Sequence, residues 1–269
     1  MLAIFHKAFA HPPEELNSPT SAAAHGVAAD KPKLPDETLR DFLSSHPANA
    51  SSMTFANAAV LAFAADDNND DGSNFLLSNR RLFFCGYDDI YCLFKGSLHN
   101  LCAQIKRYRL ARNNTNEAML VIEAYRTLRD RGPYPADQVV KDFDGSFAFV
   151  VYDSKLGTVF TALGSDGGVE LYWGIAADGS VVISDDKQAI KAGCARSYAP
   201  FPKGCMFHSE GGLMSFEHPM NTVRAMPRVD SEGAICGANF KVDMYSRTNS
   251  IPRVGSEANW SLTKSSDVL

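Results

Sequence analysis

The first nine residues, MLAIFHKAF, are the feature that most restricts the fold of this chain. Leu2 and Ile4 would face one side of an extended strand, and Ala3 and Phe5 would face the other. Chain termini are usually loose unless they are docked in a sheet. A secretory signal needs a basic start, a longer apolar centre and a small-residue cleavage site, which this segment lacks. The sequence therefore predicts a strand that begins at residue 2 and holds the N-terminus in a defined place.

The composition is that of a globular protein and argues against several function classes. The chain has 269 residues, of which 45% are hydrophobic and 21% are charged, and its net charge is -5. Nucleic-acid binders and membrane-surface binders present a basic face, so we expect neither kind of partner. Charged residues interrupt every apolar run before the ~18 residues that a membrane-spanning helix needs.

The six cysteines indicate a compartment rather than a metal site. They form no C-x-x-C pair and follow no secretory signal, which is typical of buried thiols in a reduced compartment. We therefore expect the protein in the cytoplasm and/or the nucleus, with no cofactor and no metal.

Hydrophobic periodicity predicts an α+β domain. Helical patterns occur in three segments, 35–47, 100–112 and 114–133, and Asn114 is the predicted N-cap of the last. Short apolar runs predict strands over 54–94, and hairpin patterns predict further strands from residue 146 onward. This order favours two stacked sheets between helical layers. Residues 244–269 are rich in Ser, Asn and Thr, so a domain over 1–243 and a disordered tail are predicted.

Four short motifs follow one another in a specific order. They are Arg81-Leu82, KGSLHN (95–100), Thr115-Asn116-Glu117 and GSFAF (145–149). In order and spacing they resemble the N-terminal glutaminase domain of class II glutamine amidotransferases, most closely that of asparagine synthetase. The resemblance covers about residues 1–220. It implies the four-layer αββα sandwich of the N-terminal-nucleophile hydrolases.

A second resemblance covers nearly the whole chain. LRDR (128–131), the stretch from Gly132 to Lys155 and HSEGGLMSFEHPM (208–220) are similar to the plant aluminium-induced (auxin-repressed, stem-specific) family, which is described by YGL and LRDR motifs. LRDR is intact, whereas YGL is replaced by Tyr108-Arg109-Leu110. No synthetase domain follows, so the glutaminase-like module is expected to stand alone.

The amidotransferase resemblance implies that the catalytic residue is missing. In class II amidotransferases the initiator Met is removed, and the next residue, a Cys, supplies both the thiolate nucleophile and the α-amine base. Here that position is Leu2, whose side chain has no nucleophilic atom. Initiator Met is generally trimmed only before small residues, so Met1 is expected to stay and to plug the pocket.

The same resemblance implies a vestigial substrate pocket of Arg81, Lys95, Gly96 and Thr115. The family's oxyanion-hole Asn matches Lys95, a flexible charge rather than a fixed amide dipole, and the adjacent Gly96 is kept. The Asp that binds the substrate ammonium matches Thr115, which has no charge. Arg81 matches the residue that grips the α-carboxylate, although a role as a buried salt-bridge partner fits it equally well.

Two patterns that resemble metal sites have simpler interpretations. DDNNDDG (66–72) resembles the start of a calcium loop, but Ser78 stands where a bidentate Glu is needed, so a solvated loop is favoured. Cys205 and His208 have no second ligand pair at zinc spacing, so a strand with a buried Cys is favoured.

Three functions are open at this stage. The leading hypothesis is a catalytically inactive glutaminase-like protein with a regulatory role in a stress or hormone response. One alternative is an amidohydrolase or amidotransferase with an unconventional nucleophile, Cys85 or Cys92 near His99, although cysteines on apolar strands are usually inert. The other alternative is an amino-acid sensor that uses Arg81.

Two partners are expected. The apolar stretch 216–229, which follows the predicted core, suggests a homodimer. RTNSIP (247–252) resembles the phosphoserine motif that 14-3-3 proteins read, since Arg247 precedes Ser250 and Pro252 follows it. Phosphorylation of Ser250 would add the charge that an arginine cluster binds.

Overall fold

The structure is a computed structural model that describes residues 1–17, 31–47, 49–64, 82–111, 115–130, 136–229 and 235–247. Its strands are β1 (Leu2–Phe5), β2 (Ala50–Phe55), β3 (Ala59–Ala64), β4 (Leu82–Tyr87), β5 (Ile90–Leu98), β6 (Gly145–Asp153), β7 (Thr158–Leu163), β8 (Tyr172–Ile175), β9 (Val181–Ser184), β10 (Tyr198–Pro200), β11 (Cys205–His208), β12 (Gly212–Ser215), β13 (Asn221–Val229) and β14 (Ile235–Arg247). Its helices are α1 (Pro35–Ser45), α2 (Leu101–Arg107), α3 (Glu117–Asp130), α4 (Ala136–Lys141) and α5 (Lys187–Cys194), and Glu14–Leu16 form a short 3-10 helix.

Two six-stranded antiparallel sheets contain most of these strands. Sheet A has the order β10-β8-β9-β1-β3-β2, and sheet B has the order β12-β11-β7-β6-β5-β4. Strands β13 and β14 pair separately. The N-terminal strand β1 lies inside sheet A between β9 and β3, so both of its edges are hydrogen-bonded. Strands β6 and β7 lie in the middle of sheet B and are apolar and buried along nearly their whole length, as is typical of strands covered on both faces.

Three hydrophobic clusters show that sheets and helices are stacked in four layers. The cluster between the sheets combines side chains of sheet A with side chains of sheet B, including Phe5, Leu61, Trp173, Leu93, Val150 and Phe207. On the outer face of sheet B, Val121 and Tyr125 of α3 pack against the sheet. On the outer face of sheet A, Phe42 of α1 and Ile190 of α5 do the same. This arrangement confirms the predicted αββα sandwich.

The alternation predicted for the first strand is also confirmed. Leu2 and Ile4 pack beneath α1 and α5, while Ala3 and Phe5 belong to the cluster between the sheets. Because all four side chains are buried, a shift of the strand by one residue would exchange the two faces and disrupt both clusters.

Several predicted boundaries were wrong. The run predicted as extended from residue 54 is divided between β2 and β3 by a turn at 56–58. Helix α3 begins at Glu117, and Oδ1 of Asn116 accepts a hydrogen bond from the Met119 amide at 2.9 Å. The predicted N-cap, Asn114, lies outside the described residues. Strand β14 extends to Arg247, so residues 244–247 belong to a strand and not to the predicted tail. Helices α4 and α5 were not predicted.

The sheet of β13 and β14 carries exposed apolar side chains. Met220, Met226, Val229, Met244 and Tyr245 are each about half exposed or more. The predicted homodimer through 216–229 stays a prediction. Among the described residues, no helix is long and apolar enough to cross a membrane.

Candidate functional site

The N-terminus is fixed at the end of β1, beside the end of β9. Leu2 lies opposite Ser184, whose hydroxyl donates a hydrogen bond to the Met1 carbonyl oxygen at 2.7 Å. Met1 is only 5% exposed and packs between the sheets, whereas Leu2 is fully buried beneath the helices that cover sheet A. The two side chains therefore point to opposite faces of sheet A, and neither extends into solvent.

Asp185, the residue directly after β9, binds two cations. Its Oδ1 accepts a hydrogen bond from the Met1 ammonium at 2.5 Å, and its Oδ2 accepts one from Nζ of Lys95. Lys95 lies on β5 in sheet B, on the same face as Leu93, which packs between the sheets. The ion pairs therefore link sheet B to the N-terminus in sheet A. We call Met1, Lys95 and Asp185 the N-terminal cluster.

The charge of Asp185 is stabilised by these partners. Burial alone would raise the pKa of the Asp185 carboxyl, because a charged group loses hydration in the interior. The Met1 ammonium and Lys95 oppose this effect and hold the pKa below its ordinary value. Asp185 is therefore a carboxylate at neutral pH, and the Met1 amine is engaged with it as an ammonium ion.

Gly96 follows Lys95 and has a clear structural role. Its φ of +113° lies in the region that favours glycine, and a Cβ there would overlap the carbonyl oxygen of Ser146 on the adjacent strand β6. The Ser146 hydroxyl in turn donates a hydrogen bond to Asp166 in the loop after β7. Close contact between β5 and β6 is therefore sufficient to explain a glycine at this position.

The predicted pocket residue Thr115 makes a local hydrogen bond. Its hydroxyl donates to the Ala111 carbonyl at 2.8 Å, just before α3. Its place in a substrate pocket stays a prediction. Arg81 lies outside the residues that the structure describes, and so does Ser250.

Sequence reasoning missed Asp185, the residue that organises the cluster. Its partners, Met1 and Lys95, are distant along the chain, so no local pattern links them. One local signal was present, because Ser184-Asp185-Asp186 follows the buried strand VVIS. Polar residues directly after a buried strand often mark a site at the sheet edge. Asp186 has a separate role, since its Oδ1 accepts a hydrogen bond from the Gln188 amide and caps α5.

The cysteines considered as displaced nucleophiles lie on the wrong face of sheet B. Cys92 belongs to the cluster beneath α3, and Cys85 packs against that cluster, whereas Lys95 faces the other sheet. Burial raises the pKa of both thiols, which disfavours the reactive thiolate. His99 lies beside Asp144, with 3.9 Å between Nδ1 and Oδ1, at an exposed position after β5.

The patterns that resembled metal sites gain no support in the described part of the chain. Cys205 faces the core between the sheets, while His208 contacts the Phe160 ring on the outer face, so the strand separates the two side chains. The calcium-like loop 66–72 and Ser78 lie outside the described residues. Among the described residues, no group of three or more His, Cys, Asp or Glu side chains is placed to hold a metal.

A second buried carboxylate is held by the LRDR motif. Asp153 at the end of β6 is fully buried, and its Oδ2 accepts hydrogen bonds from Arg129 at 3.2 Å and Tyr125 at 3.3 Å. Its Oδ1 accepts the backbone amides of Lys155 and Leu156 in the following turn, at 3.0 and 3.1 Å. Arg129 is the first arginine of LRDR, so this motif joins α3 to the β6–β7 turn. We call these residues the LRDR cluster.

Comparison with known sequences agrees with both resemblances. The aluminium induced protein family matches residues 2–242. Stem-specific protein TSJT1 of Nicotiana tabacum is 36% identical over 162 residues, which cover 60% of this chain and 99% of the tobacco protein. A probable asparagine synthetase (glutamine-hydrolyzing) of Dictyostelium discoideum is 42% identical over 74 residues, which cover 28% of this chain and 13% of the synthetase.

A solved structure provides a weaker likeness. The glutamine phosphoribosylpyrophosphate amidotransferase from B. subtilis has a TM-score of 0.39 at 13% identity, over 60% of this chain and 35% of that chain. The four layers of the sandwich and the stretch shared with asparagine synthetase confirm the class II glutamine amidotransferase-like fold. The chain belongs to the aluminium induced protein family.

Proposed function

We propose that this protein is a glutaminase-like protein without glutaminase activity that serves a regulatory role in a stress or hormone response. The name of its family refers to induction by aluminium, and the tobacco relative is named for its restriction to the stem. Such names describe when and where a protein is made and fit a regulatory role. The N-terminal cluster supports the proposed loss of catalysis.

The observation that carries the proposal is the double loss at the N-terminus. A one-residue mechanism needs a nucleophilic side chain and a free α-amine that accepts its proton. Leu2 provides no nucleophilic atom and is fully buried. The Met1 ammonium donates to Asp185 at 2.5 Å, so it would have to leave this ion pair and lose a proton before it could act as a base.

The oxyanion position supports the same conclusion. Lys95, which matches the family's oxyanion-hole Asn, donates to the buried carboxylate of Asp185. A donor that is already bound to a carboxylate does not point to the position where negative charge develops on the substrate oxygen. Preorganised donors at that position usually make the largest single contribution to catalysis of acyl transfer. An unconventional nucleophile would need both a reactive thiol and an oxyanion donor on one side of sheet B, and Cys92 and Lys95 lie on opposite sides.

The proposal is tested by ammonia release from glutamine. The wild-type protein is expected to release no more ammonia than a heat-denatured sample. Turnover above that background that disappears in Arg81→Ala would contradict the proposal, because it would show a working pocket that uses Arg81.

A pair of N-terminal variants separates the effect of the missing nucleophile from the effect of the other pocket residues. Leu2→Cys and Leu2→Ala both place a small residue after Met1, so both should lose Met1, and only the first gains a nucleophile. We expect Leu2→Cys to stay as poor as Leu2→Ala, because Lys95 and Thr115 are unsuited to the oxyanion and the substrate ammonium. Robust hydrolysis by Leu2→Cys alone would show that the rest of the pocket is still competent.

A further inference from the structure

Two thiols face each other across the hairpin of β4 and β5. Cys85 and Cys92 are direct partners in the register of the two strands, and both are free thiols. Residues directly opposite each other in an antiparallel pair project from the same face of the sheet. Cys92 lies in the cluster beneath α3 and Cys85 packs against it, which agrees with this shared direction.

The hairpin geometry places the two cysteines within reach of a bond. Asp88 and Asp89 form the two-residue turn, with φ values of +54° and +61°, as in a type I′ turn. In such a hairpin the flanking pair is hydrogen-bonded, and the pairs alternate along the ladder, so Cys85 and Cys92 form a hydrogen-bonded pair with Cα atoms about 5.5 Å apart. This value lies within the Cα range of about 4.4–6.8 Å that disulfides span, and closing the bond would draw the two Cβ atoms from about 4.5–5.5 Å, the separation of opposite strand residues, to about 3.8 Å.

The two thiols have different access to solvent. Cys85 is partly exposed on β4, the edge strand of sheet B, whereas Cys92 is fully buried. Burial raises the pKa of both thiols, but the Gly86 amide donates to Cys85 and partly offsets the effect there. The pKa of Cys92 is raised mainly by burial and further by the neighbouring Cys85. A dissolved oxidant therefore meets Cys85 first, with Cys92 beside it.

We propose that Cys85 and Cys92 are a peroxide-oxidisable dithiol that closes an intrachain disulfide between β4 and β5. The small fraction of Cys85 that is a thiolate attacks hydrogen peroxide, so that an S–O bond forms and the O–O bond breaks, and the hydroxide released takes up a proton as water. The Cys92 thiol then attacks the sulfenic sulfur, the S–S bond forms, and the second oxygen leaves as water with the thiol proton. In total, two thiols lose two electrons and one peroxide becomes two waters.

The disulfide would attach the edge strand to its neighbour close to the N-terminal cluster. The same register that pairs Cys85 with Cys92 pairs Leu82 with Lys95. Edge strands have one unpaired side and are the strands most readily detached from a sheet. The oxidised hairpin would therefore hold β4 in place beside the strand that carries Lys95. This inference does not depend on whether the pocket is active.

The full-length protein provides a simple chemical readout. Trypsin cuts after Arg81 and after Lys95, so both cysteines fall in one peptide, LFFCGYDDIYCLFK. After treatment with hydrogen peroxide and alkylation under denaturing conditions, this peptide should lose two hydrogens and carry no alkyl group. Prior reduction should restore two alkylation sites. A peptide that stays doubly alkylated, or that gains oxygen at Cys85 without the cross-link, would overturn the proposal.

Three variants control the experiment. Cys102 is exposed and lies outside this hairpin, so Cys102→Ser should form the disulfide at an unchanged rate. In Cys92→Ala, peroxide should leave a sulfenic acid at Cys85 that a 1,3-dione reagent traps. In Cys85→Ala, the buried Cys92 should resist both peroxide and alkylation in the folded state. Equal reactivity of the two single thiols would contradict the assigned order of attack.

Discussion

The N-terminal cluster and the LRDR cluster each place a buried carboxylate at the end of a strand, but they satisfy it differently. Asp153 is fully buried and accepts two backbone amides, a tyrosine hydroxyl and an arginine. Asp185 is 11% exposed and is paired with two flexible cations, the chain terminus and a lysine. The arrangement around Asp153 is typical of a rigid structural contact, because backbone donors and a planar guanidinium hold both carboxylate oxygens in place.

The two clusters also differ in their relation to the family motif, because only the LRDR cluster contains it. Arg129 reaches Asp153 from α3 and also contacts Asp130 and Asp88, so a single side chain joins a helix to two hairpin turns. The N-terminal cluster occupies the place where the amidotransferase mechanism would keep a free amine and an oxyanion donor. In this protein the Met1 ammonium and Lys95 pair with the Asp185 carboxylate, which supports the proposed loss of catalysis.

The largest effect should come from removing the arginine of the LRDR cluster. Arg129→Ala leaves the charge of the fully buried Asp153 without its cation, and breaking a buried pair from one side typically costs about 3–5 kcal/mol of unfolding free energy. Urea unfolding measures this loss. Arg107→Ala, which removes a more exposed pair with Asp142, is the matched control and should cost less than about 1 kcal/mol. Equal losses of unfolding free energy in the two variants would show that the LRDR cluster stabilises the fold no more than an exposed ion pair does.

A smaller effect should follow from neutralising Asp185. Asp185→Asn keeps the shape of the side chain and removes the charge that both cations use, at a cost of about 1.5–3 kcal/mol near neutral pH. Lys95 is 24% exposed and can turn toward solvent, which limits the loss.

The pH dependence identifies the cause. Because the pKa of Asp185 is lowered on folding, its stabilisation is complete above the ordinary carboxyl pKa of about 4 and is lost as the pH falls through the lower, folded pKa. The unfolding free energies of wild type and Asp185→Asn should therefore converge in that acidic range. A difference that stays constant with pH would show that Asp185 acts through packing and not through its charge.

The smallest effect should come from Ser184→Ala. This change removes the 2.7 Å hydrogen bond to the Met1 carbonyl and the acceptor for the Asp186 amide, at about 1 kcal/mol. The loss should persist in the acidic range where the effect of Asp185→Asn disappears, because no titrating charge is removed. A Ser184→Ala effect that disappears in the same acidic range would contradict the separate roles of the two residues.

The sequence predicted the fold correctly where apolar residues repeat with the period of a strand or a helix. The alternation of residues 2–5 predicted both faces of β1, and the helical pattern of 114–133 predicted the helix observed as α3. The turn at 56–58 was missed because it contains neither glycine nor proline, although Ala56 adopts a φ of +46°. Helix α5 was missed because it is short and depends on the sheet beneath it as much as on its Asp186 cap.

The site was predictable only in part. Leu2 and Lys95 depart visibly from the amidotransferase pattern, so the sequence predicts that the nucleophile is missing, and this stays a prediction. The ion pairs of Asp185 could not be inferred from the sequence. Met1 is 184 positions and Lys95 is 90 positions from Asp185 along the chain, and the contacts depend on how the two sheets stack. Thr115 was matched by sequence order alone, and its place in a substrate pocket stays a prediction.

The absence of a working nucleophile is tested most directly by covalent labelling with a glutamine analogue that carries an electrophile, followed by intact mass measurement. The wild-type protein is expected to retain Met1 and to gain no adduct that excess glutamine prevents, because no thiol among the side chains that the structure describes belongs to the N-terminal cluster. A stoichiometric adduct on any cysteine that glutamine competes away would contradict the account and show that the protein is an enzyme with a displaced nucleophile.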